Sequence, residues 1–283
     1  MDKRVGLVTC LQMPEPDGDR EALQAAVARQ GVAADWVSWD DPDVDWGTYA
    51  LLVLRSTWNY HRYHEAFLAW VDRAAATTRL LNPAHVVKWN SHKGYLAELD
   101  ARGVPVTPTE HLRRGSRIKL VEVCARRGWR DVVIKPAVSA GSFKTMRGGT
   151  GNMVEAEAFL VGMLAERDML VQPYLTSVEE HGERSLIYVD GELTHSIRKT
   201  PRFAHEHEKV SGAMPIPTEE RQVAEQVMEP LRREVLYARV DLARDERGQP
   251  MVMELELIEP SLFLMEYPPA LERLADAIVA RVR

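Results

Sequence analysis

Leu236 to Pro260 reads LYARVDLARDERGQPMVMELELIEP, and this stretch decides the fold. Apolar and polar residues alternate on both sides of a polar DERGQ segment, the period of two neighbouring β-strands, and Gly248 can take the positive φ of a turn. Arg239 and Asp241 lie two apart and share one face of the first strand; Glu254 and Glu256 do the same on the second. Pairing about a two-residue Arg247-Gly248 turn sets Asp241 opposite Glu254 and Arg239 opposite Glu256. Carboxylates gathered on one face repel one another. A divalent cation relieves that repulsion, and Asp and Glu oxygens suit Mg²⁺, with Mn²⁺ a chemically similar substitute. A solvated acidic hairpin, with Arg239 as an ordinary cross-strand partner, is the other reading, and the stretch alone leaves both open. The apolar flanks Val240, Leu242, Val252, Met253, Leu255 and Leu257 weigh against full solvation.

With 283 residues, two or three packed lobes are expected. A hydrophobic content of 45% and a charged content of 28% describe an ordinary globular protein. The net charge of −6 leaves no basic footprint for nucleic acid or an anionic membrane. No apolar run approaches the length of a membrane span, no signal segment is expected at the N-terminus, and Cys10 and Cys124 cannot build a disulfide framework. A cytoplasmic protein is the expectation.

Upstream, Arg4–Cys10, residues 33–39 and Tyr49–Leu54 read as strands alternating with a helix over Asp19–Gln30, the pattern of an open α/β layer. Such layers bind ligands beyond the carboxyl ends of their strands. Arg55, Ser56, Trp58, Asn59 and His61 stand at that end of the third strand, suited either to a small zwitterionic or carboxylate substrate or to the entry of the helix that follows. Asn90–Arg102 reads as one helix with Ser91 as N-cap, and Lys93 falls in its first turn, where a cation does not help the helix dipole. Val104–Pro108 is an extended hinge. Trp129–Pro136 is a strand that carries Lys135 among apolar neighbours, an expensive position without an anion. Ser139–Ser142 and the glycine-rich Arg147–Asn152 can close backbone N–H groups round phosphate oxygens, or form plain loops. There is no Walker A loop and no GxGxxG fingerprint. Met169–Leu175 reads as a strand, Ser185–Lys199 as a hairpin turning at Asp190-Gly191, Glu219–Glu234 and Leu271–Val282 as helices. His205 and His207 sit in a polar loop, where a solvent-exposed or substrate-side place is favoured over metal ligation.

This ordered set resembles the ATP-grasp superfamily, most closely its glutathione synthetase and ribosomal-protein glutamate ligase branch, which includes cycloserine synthetase-like enzymes. The resemblance implies an α/β chain with an ATP-grasp fold behind an N-terminal open α/β domain. The implied lobes are residues 1–86 on the substrate side, 87–175 with the Lys135 strand and glycine flap, and 176–283 with the metal-binding hairpin. It implies that Lys93 and Lys135 contact nucleotide phosphates. Ser142 and Gly149 belong to loops over the triphosphate, Gln172, Pro173, Tyr174 and Leu175 to an adenine hinge, and Glu183 to the ribose site. Asp241, Glu254 and Glu256 would hold two Mg²⁺; Arg239 and Arg198 would steady the transferred phosphoryl group. Two departures stand out: Glu256 occupies the place of the family's usual Asn, and Gln172 that of its frequent Glu. The implied activity is an ATP-dependent, ADP-forming carboxylate–amine ligase that works through an acyl phosphate on a small amino-acid-like substrate. An intramolecular cyclase and a non-catalytic ATP-binding module are the alternatives. No nucleic-acid or membrane partner is expected, and a homodimer remains open.

Overall fold

A computed structural model describes residues 4–200 and 210–282. The first layer is a parallel sheet of β1 (Arg4–Thr9), β2 (Ala33–Ser38), β3 (Leu51–Ser56) and β4 (Arg79–Leu81) in the order β2-β1-β3-β4. Its strands β1 and β3 are buried almost throughout, as continuous apolar runs in a parallel sheet should be. Helices α1 (Arg20–Arg29) and α2 (His64–Thr77) cover it, with Leu23, Ala26 and Val27 on the inner face of α1 and Phe67, Trp70, Val71 and Ala74 on that of α2.

The helix expected over 90–102 is formed only from residue 95, and a separate helix precedes it. Helix α3 (Ala84–Asn90) ends at Ser91, which serves as its C-cap and donates from Oγ to the Lys88 carbonyl (2.8 Å); α4 (Tyr95–Ala101) follows after a turn. Lys93 therefore lies in a connector, not in a first helical turn. Its backbone N–H donates to the Ala137 carbonyl at 2.8 Å. Gly103 ends α4 with φ 79°, as its position after the last helical residue requires.

The middle sheet has the order β5-β8-β6-β7, all pairs antiparallel: β5 (Glu110–Leu112), β6 (Val132–Pro136), β7 (Met146–Gly148) and β8 (Met169–Pro173). Helices α5 (Leu120–Arg127) and α6 (Met153–Leu164) bury Leu120, Val123, Leu160 and Met163 against Val132, Ile134 and Val171. After the short α7 (Ser177–Glu180) comes the last sheet, β10-β9-β11-β12, again antiparallel: β9 (Glu183–Val189), β10 (Glu192–Lys199), β11 (Tyr237–Arg244) and β12 (Pro250–Glu256). Asp190 (φ 49°) and Gly191 (φ 76°) both take positive φ between β9 and β10, the backbone of the expected tight hairpin turn. Helix α8 (Thr218–Met228) packs on the outer face of this sheet and stops before Pro230.

The closing helix α9 (Pro268–Val282) packs against α1, and its Leu274, Ile278 and Val279 share one core with Val5, Leu7 and Leu23 of the first layer and with Ile187 and Tyr237 of the last sheet. Chain end and chain start are thus one packed body, tied at the surface by Arg29–Glu272 at 2.6 Å. Asn82 and Asn90 fix the deciding hairpin from beneath. The Asn82 amide donates to the Tyr237 and Leu257 carbonyls (2.9 and 2.8 Å) and accepts from the Leu236 N–H; Asn90 donates to Leu255 O and accepts from Leu257 N–H, both at 2.8 Å. These bonds occupy backbone groups that the edge of β12 would otherwise leave unpaired. The extended segment at 104–108 does the same further along: Val252 N–H donates to Pro105 O and Thr107 N–H to Val252 O.

Candidate active site

On β11 and β12 Arg239 faces Glu256 and Asp241 faces Glu254, the expected partners. The route to that register differs from a two-residue turn. Asp245 closes a longer loop, its Oδ1 accepting from the N–H groups of Arg247 and Gln249 at 2.8 Å each. Arg244 consequently pairs with Pro250 and Leu242 with Val252, and a bulge between Asp241 and Leu242, with Met253 as the extra residue, restores the pairing before the charged residues are reached.

The three hairpin carboxylates do not stand as a bare cluster. Asp241, 1% exposed, accepts from Arg239 through Nε and Nη2 (2.9 Å each), from Lys199 Nζ (2.9 Å) and from Ser185 Oγ (2.5 Å). Burial alone would raise its pKa, but Arg239 and Lys199 outweigh it and hold the carboxyl well below the usual range. Glu254 takes Lys93 Nζ at 2.8 Å, and Glu256 takes the outer guanidinium nitrogen of Arg239. Among the described residues no group of three His, Cys, Asp or Glu side chains is arranged to hold a metal ion unaided. The three carboxylates thus meet on one wall of the cleft as ion pairs with the protein's own cations. Each is tied to a cation, because buried charges without partners are costly.

These groups line one cleft of about 730 Å³ between the three sheets. Lys93, 6% exposed, also donates from Nζ to the Ser139 carbonyl at 2.7 Å, which joins it to the middle lobe. Lys135 points into the same space from β6 without an ion pair among the described residues, and burial pulls its pKa down. Glu183 pairs across the β9–β10 hairpin with Lys199, and burial pushes its carboxyl up to about 7. Burial, with Glu254 and Asp241 nearby, does the same to Glu256, also to about 7. Val133, Val178, Met253 and Leu255 supply an apolar wall. Ser142 lines the cleft within a loop from Ser139 to Thr145, in which Gly141, Ser142 and Lys144 all take positive φ.

Several expected residues lie elsewhere. Arg198 is exposed on the opposite face of β10 and lines a separate hollow with Arg184 and Pro215; its neighbour Lys199 is the one that enters the cleft, since successive strand residues alternate faces. Gly149 packs near Asp131 and donates its N–H to Asn152 Oδ1 (2.9 Å), away from the cleft, and the Ser139–Thr145 loop takes the place expected for the glycine-rich segment. Gln172, Pro173, Tyr174 and Leu175 do not line the cleft. Gln172 donates to Thr109 Oγ1 (2.8 Å), Pro173 pairs with Val132, Tyr174 stacks under Arg147 (3.7 Å) and bonds Glu179 (2.6 Å), and Leu175 caps the turn into α7. Among the strand-end residues Trp58, Asn59 and His61 line the cleft, but Arg55 and Ser56 do not. Arg55 is 1% exposed, between Asp19 (3.7 Å), the Pro260 carbonyl (3.4 Å) and the Tyr237 ring; Ser56 bonds Thr9. Four charged cleft residues were not assigned to the site from the sequence: Glu15, Arg62, Lys199 and Glu259. The signal for Lys199 was its alternation with Arg198, and for Glu259 the third acidic residue of ELELIEP. His205 and His207 lie outside the described residues.

The three sheets and the charged cleft between them define an ATP-grasp fold, and the chain is an enzyme of the ligase type. A family model described as the N-terminal domain of D-cycloserine synthetase DcsG matches residues 5–82. The cycloserine biosynthesis protein DcsG of Streptomyces lavendulae is 32% identical over 288 residues, 94% of this chain and 95% of its own. The chain belongs to the DcsG family. The crystal structure of D-cycloserine synthetase DcsG superposes with a TM-score of 0.89 at 32% identity, covering 99% of this chain and 100% of that one. A structure of the ATP-grasp ligase PsnB with a phosphomimetic variant of its minimal precursor, Mg and ADP gives a TM-score of 0.67 at 15% identity, over 100% of this chain and 99% of the other; that likeness concerns the fold. No helix among the described residues is long and apolar enough to cross a membrane.

Proposed function

We propose that this protein uses ATP to phosphorylate the carboxylate of a small amino-acid-like substrate and then joins the activated carbon to an amine-type nitrogen, releasing ADP and phosphate. Ring closure within one molecule is the favoured form, because a relative 32% identical over nearly the whole chain is named a D-cycloserine synthetase. The supporting observation is the set of cations that faces one carboxylate-bearing hairpin: Lys93 from the α3–α4 connector, Lys135 from the middle sheet, Lys199 from β10 and Arg239 from β11.

The charge balance of the cleft bears on the cofactor. Five cationic side chains meet six carboxylates, so nothing is left over to offset the negative charge of a triphosphate. A divalent cation arriving with the nucleotide supplies that charge. The donors fit: Glu254 and Glu256 line the cleft and each pairs with a cation through Oε1, with no hydrogen bond to the other oxygen among the described residues, and Mg²⁺ needs just one or two protein carboxylates when phosphates and water complete its shell. Two ions are the expectation carried by Asp241, Glu254 and Glu256 together. Bound Mg²⁺ would neutralise the β- and γ-phosphate oxygens during transfer.

The protein's own groups account for the rest. Lys93, Lys135 and Lys199 bind phosphate oxygens, with Glu183 holding Lys199 in place, and Arg239 stabilises charge on the transferred phosphoryl group. The apolar wall accepts the adenine, next to the segment at 172–175. The Ser139–Thr145 loop excludes water, which an acyl phosphate requires because it hydrolyses. Residues 1–86 supply the substrate side through Trp58, Asn59 and His61, and the two later lobes, 87–175 and 176–283, supply the nucleotide side. ADP release across a panel of small amino acids tests this reading; AMP as the nucleotide product would sink it.

A further inference from the structure

Glu259 lies three residues beyond β12 and lines the cleft, 7% exposed, yet its carboxylate has no hydrogen bond or ion pair among the described residues. The backbone around it is clamped. Trp58 Nε1 donates to the Glu259 carbonyl (3.0 Å), Arg55 Nη1 to that of Pro260 (3.4 Å) and Arg239 Nη1 to that of Ser261 (3.2 Å). Three consecutive carbonyls held by side chains from two lobes fix the backbone from which this carboxylate projects.

Burial, with Glu256 and Glu254 nearby, pushes the Glu259 carboxyl well above its ordinary value; Lys93 and Arg239 act on it only from a distance, because both are ion-paired to other carboxylates. Lys93 binds Glu254, Arg239 binds Asp241 and Glu256, and Lys199 binds Glu183 and Asp241. Lys135 interacts with Glu254, Glu183 and Asp241. A cationic group on a ligand would relieve the cost of that burial. Trp58 is bonded to the Glu259 carbonyl, Tyr60 lies within electrostatic reach of Glu259, and His61 lines the same cleft. Aromatic faces attract an ammonium group, and His61, 9% exposed, has neither ring nitrogen hydrogen-bonded.

We propose that Glu259 binds the ammonium group of the amino-acid substrate, with Trp58, Tyr60 and His61 completing the pocket. This rests on the carboxylate-activating function above and adds which substrate group is recognised and by which residue. A carboxylate on the amine side and cations on the phosphate side orient an amino acid with its own carboxylate toward the nucleotide.

The test is calorimetric binding, in the presence of Mg²⁺ and a non-hydrolysable ATP analogue, of small α-amino acids and their des-amino analogues, serine and 3-hydroxypropionate among them. The wild type is expected to bind at least one amine-bearing compound about 10- to 100-fold more tightly than its des-amino partner, the range for hydrogen bonds to a charged group. Glu259→Gln is expected to erase that preference while nucleotide affinity and the Mg²⁺ concentration for half-saturation change less than threefold. Glu259→Asp keeps the charge and should retain part of the preference, which separates a lost contact from a misfolded variant. A preference that survives in Glu259→Gln, no amine-dependent binding in the wild type, or a Glu259→Gln effect on Mg²⁺ alone would each overturn the proposal. Amine-dependent binding without turnover would instead count against the proposed reaction.

Discussion

Lys199 stands directly across the β9–β10 hairpin from Glu183 and reaches past it to Asp241 Oδ2 at 2.9 Å. Burial and Arg239 pull its pKa down, but Asp241, Glu183 and Glu256 together push it above the ordinary lysine value, so it is a fixed positive charge. Its neighbour Arg198 faces away. Lys199→Met is therefore expected to lower kcat/KM for ATP turnover about 10²-fold or more, the scale of one lost electrostatic contact to a transition state. Arg198→Met should change it less than threefold. Steady-state ADP release by the two variants checks this; a larger loss in Arg198→Met would reverse the assignment.

Glu254 holds Lys93 through one oxygen and leaves the other to the cleft. Glu254→Gln should raise the Mg²⁺ concentration for half-maximal activity about 10- to 100-fold, at least what is lost when even a supporting residue of a metal site is removed. Mg²⁺ titrations at saturating ATP measure it, and an unchanged half-saturation would place the ion elsewhere.

Arg55 is a bridge between the first layer and the last sheet, set against Asp19, the Pro260 carbonyl and the Tyr237 ring. Removing one partner of a buried pair leaves the other uncompensated, so Arg55→Met should destabilise the fold by about 3–5 kcal/mol. The denaturant midpoint should fall accordingly, while the KM for the amino-acid substrate in the folded fraction stays within threefold. A normal midpoint with a raised KM would return Arg55 to the substrate.

His195 is buried, stacked on Tyr267, and burial lowers its pKa to about 4. In the unfolded chain it titrates near 6.5. Between these values the unfolded state binds more protons, so stability is full above about pH 6.5 and falls as pH drops toward 4. At pH 5 the loss from this one residue is about 2 kcal/mol. Urea unfolding at pH 7 and pH 5 should show a smaller difference for His195→Phe than for the wild type; equal differences would contradict the assignment.

Much of this was legible in the chain itself, and the failures have physical causes. Alternation placed Arg239, Asp241, Glu254 and Glu256 on one face, because a period of two leaves no freedom once both strands are recognised. The loop length is not legible, since the backbone bonds of Asp245 are a matter of local geometry, and the bulge at Met253 restores the register that a two-residue turn would give. Lys93 was found for an indirect reason: it is not misplaced in a helix but sits where two helices separate. Arg198 and Lys199 could not be told apart without knowing which face of β10 meets the cleft. Arg55 looked like a substrate group because an arginine at a strand end has the same appearance whether it meets a ligand or an aspartate 36 residues earlier in the chain.

The most direct measurement follows the oxygen atoms of the substrate carboxylate. With a turning-over amino acid labelled with ¹⁸O in that group, phosphoryl transfer to the carboxylate followed by attack of nitrogen must deliver one ¹⁸O into inorganic phosphate, with ADP as the other product. Unlabelled phosphate, or label appearing in AMP, would contradict an acyl phosphate formed in this cleft.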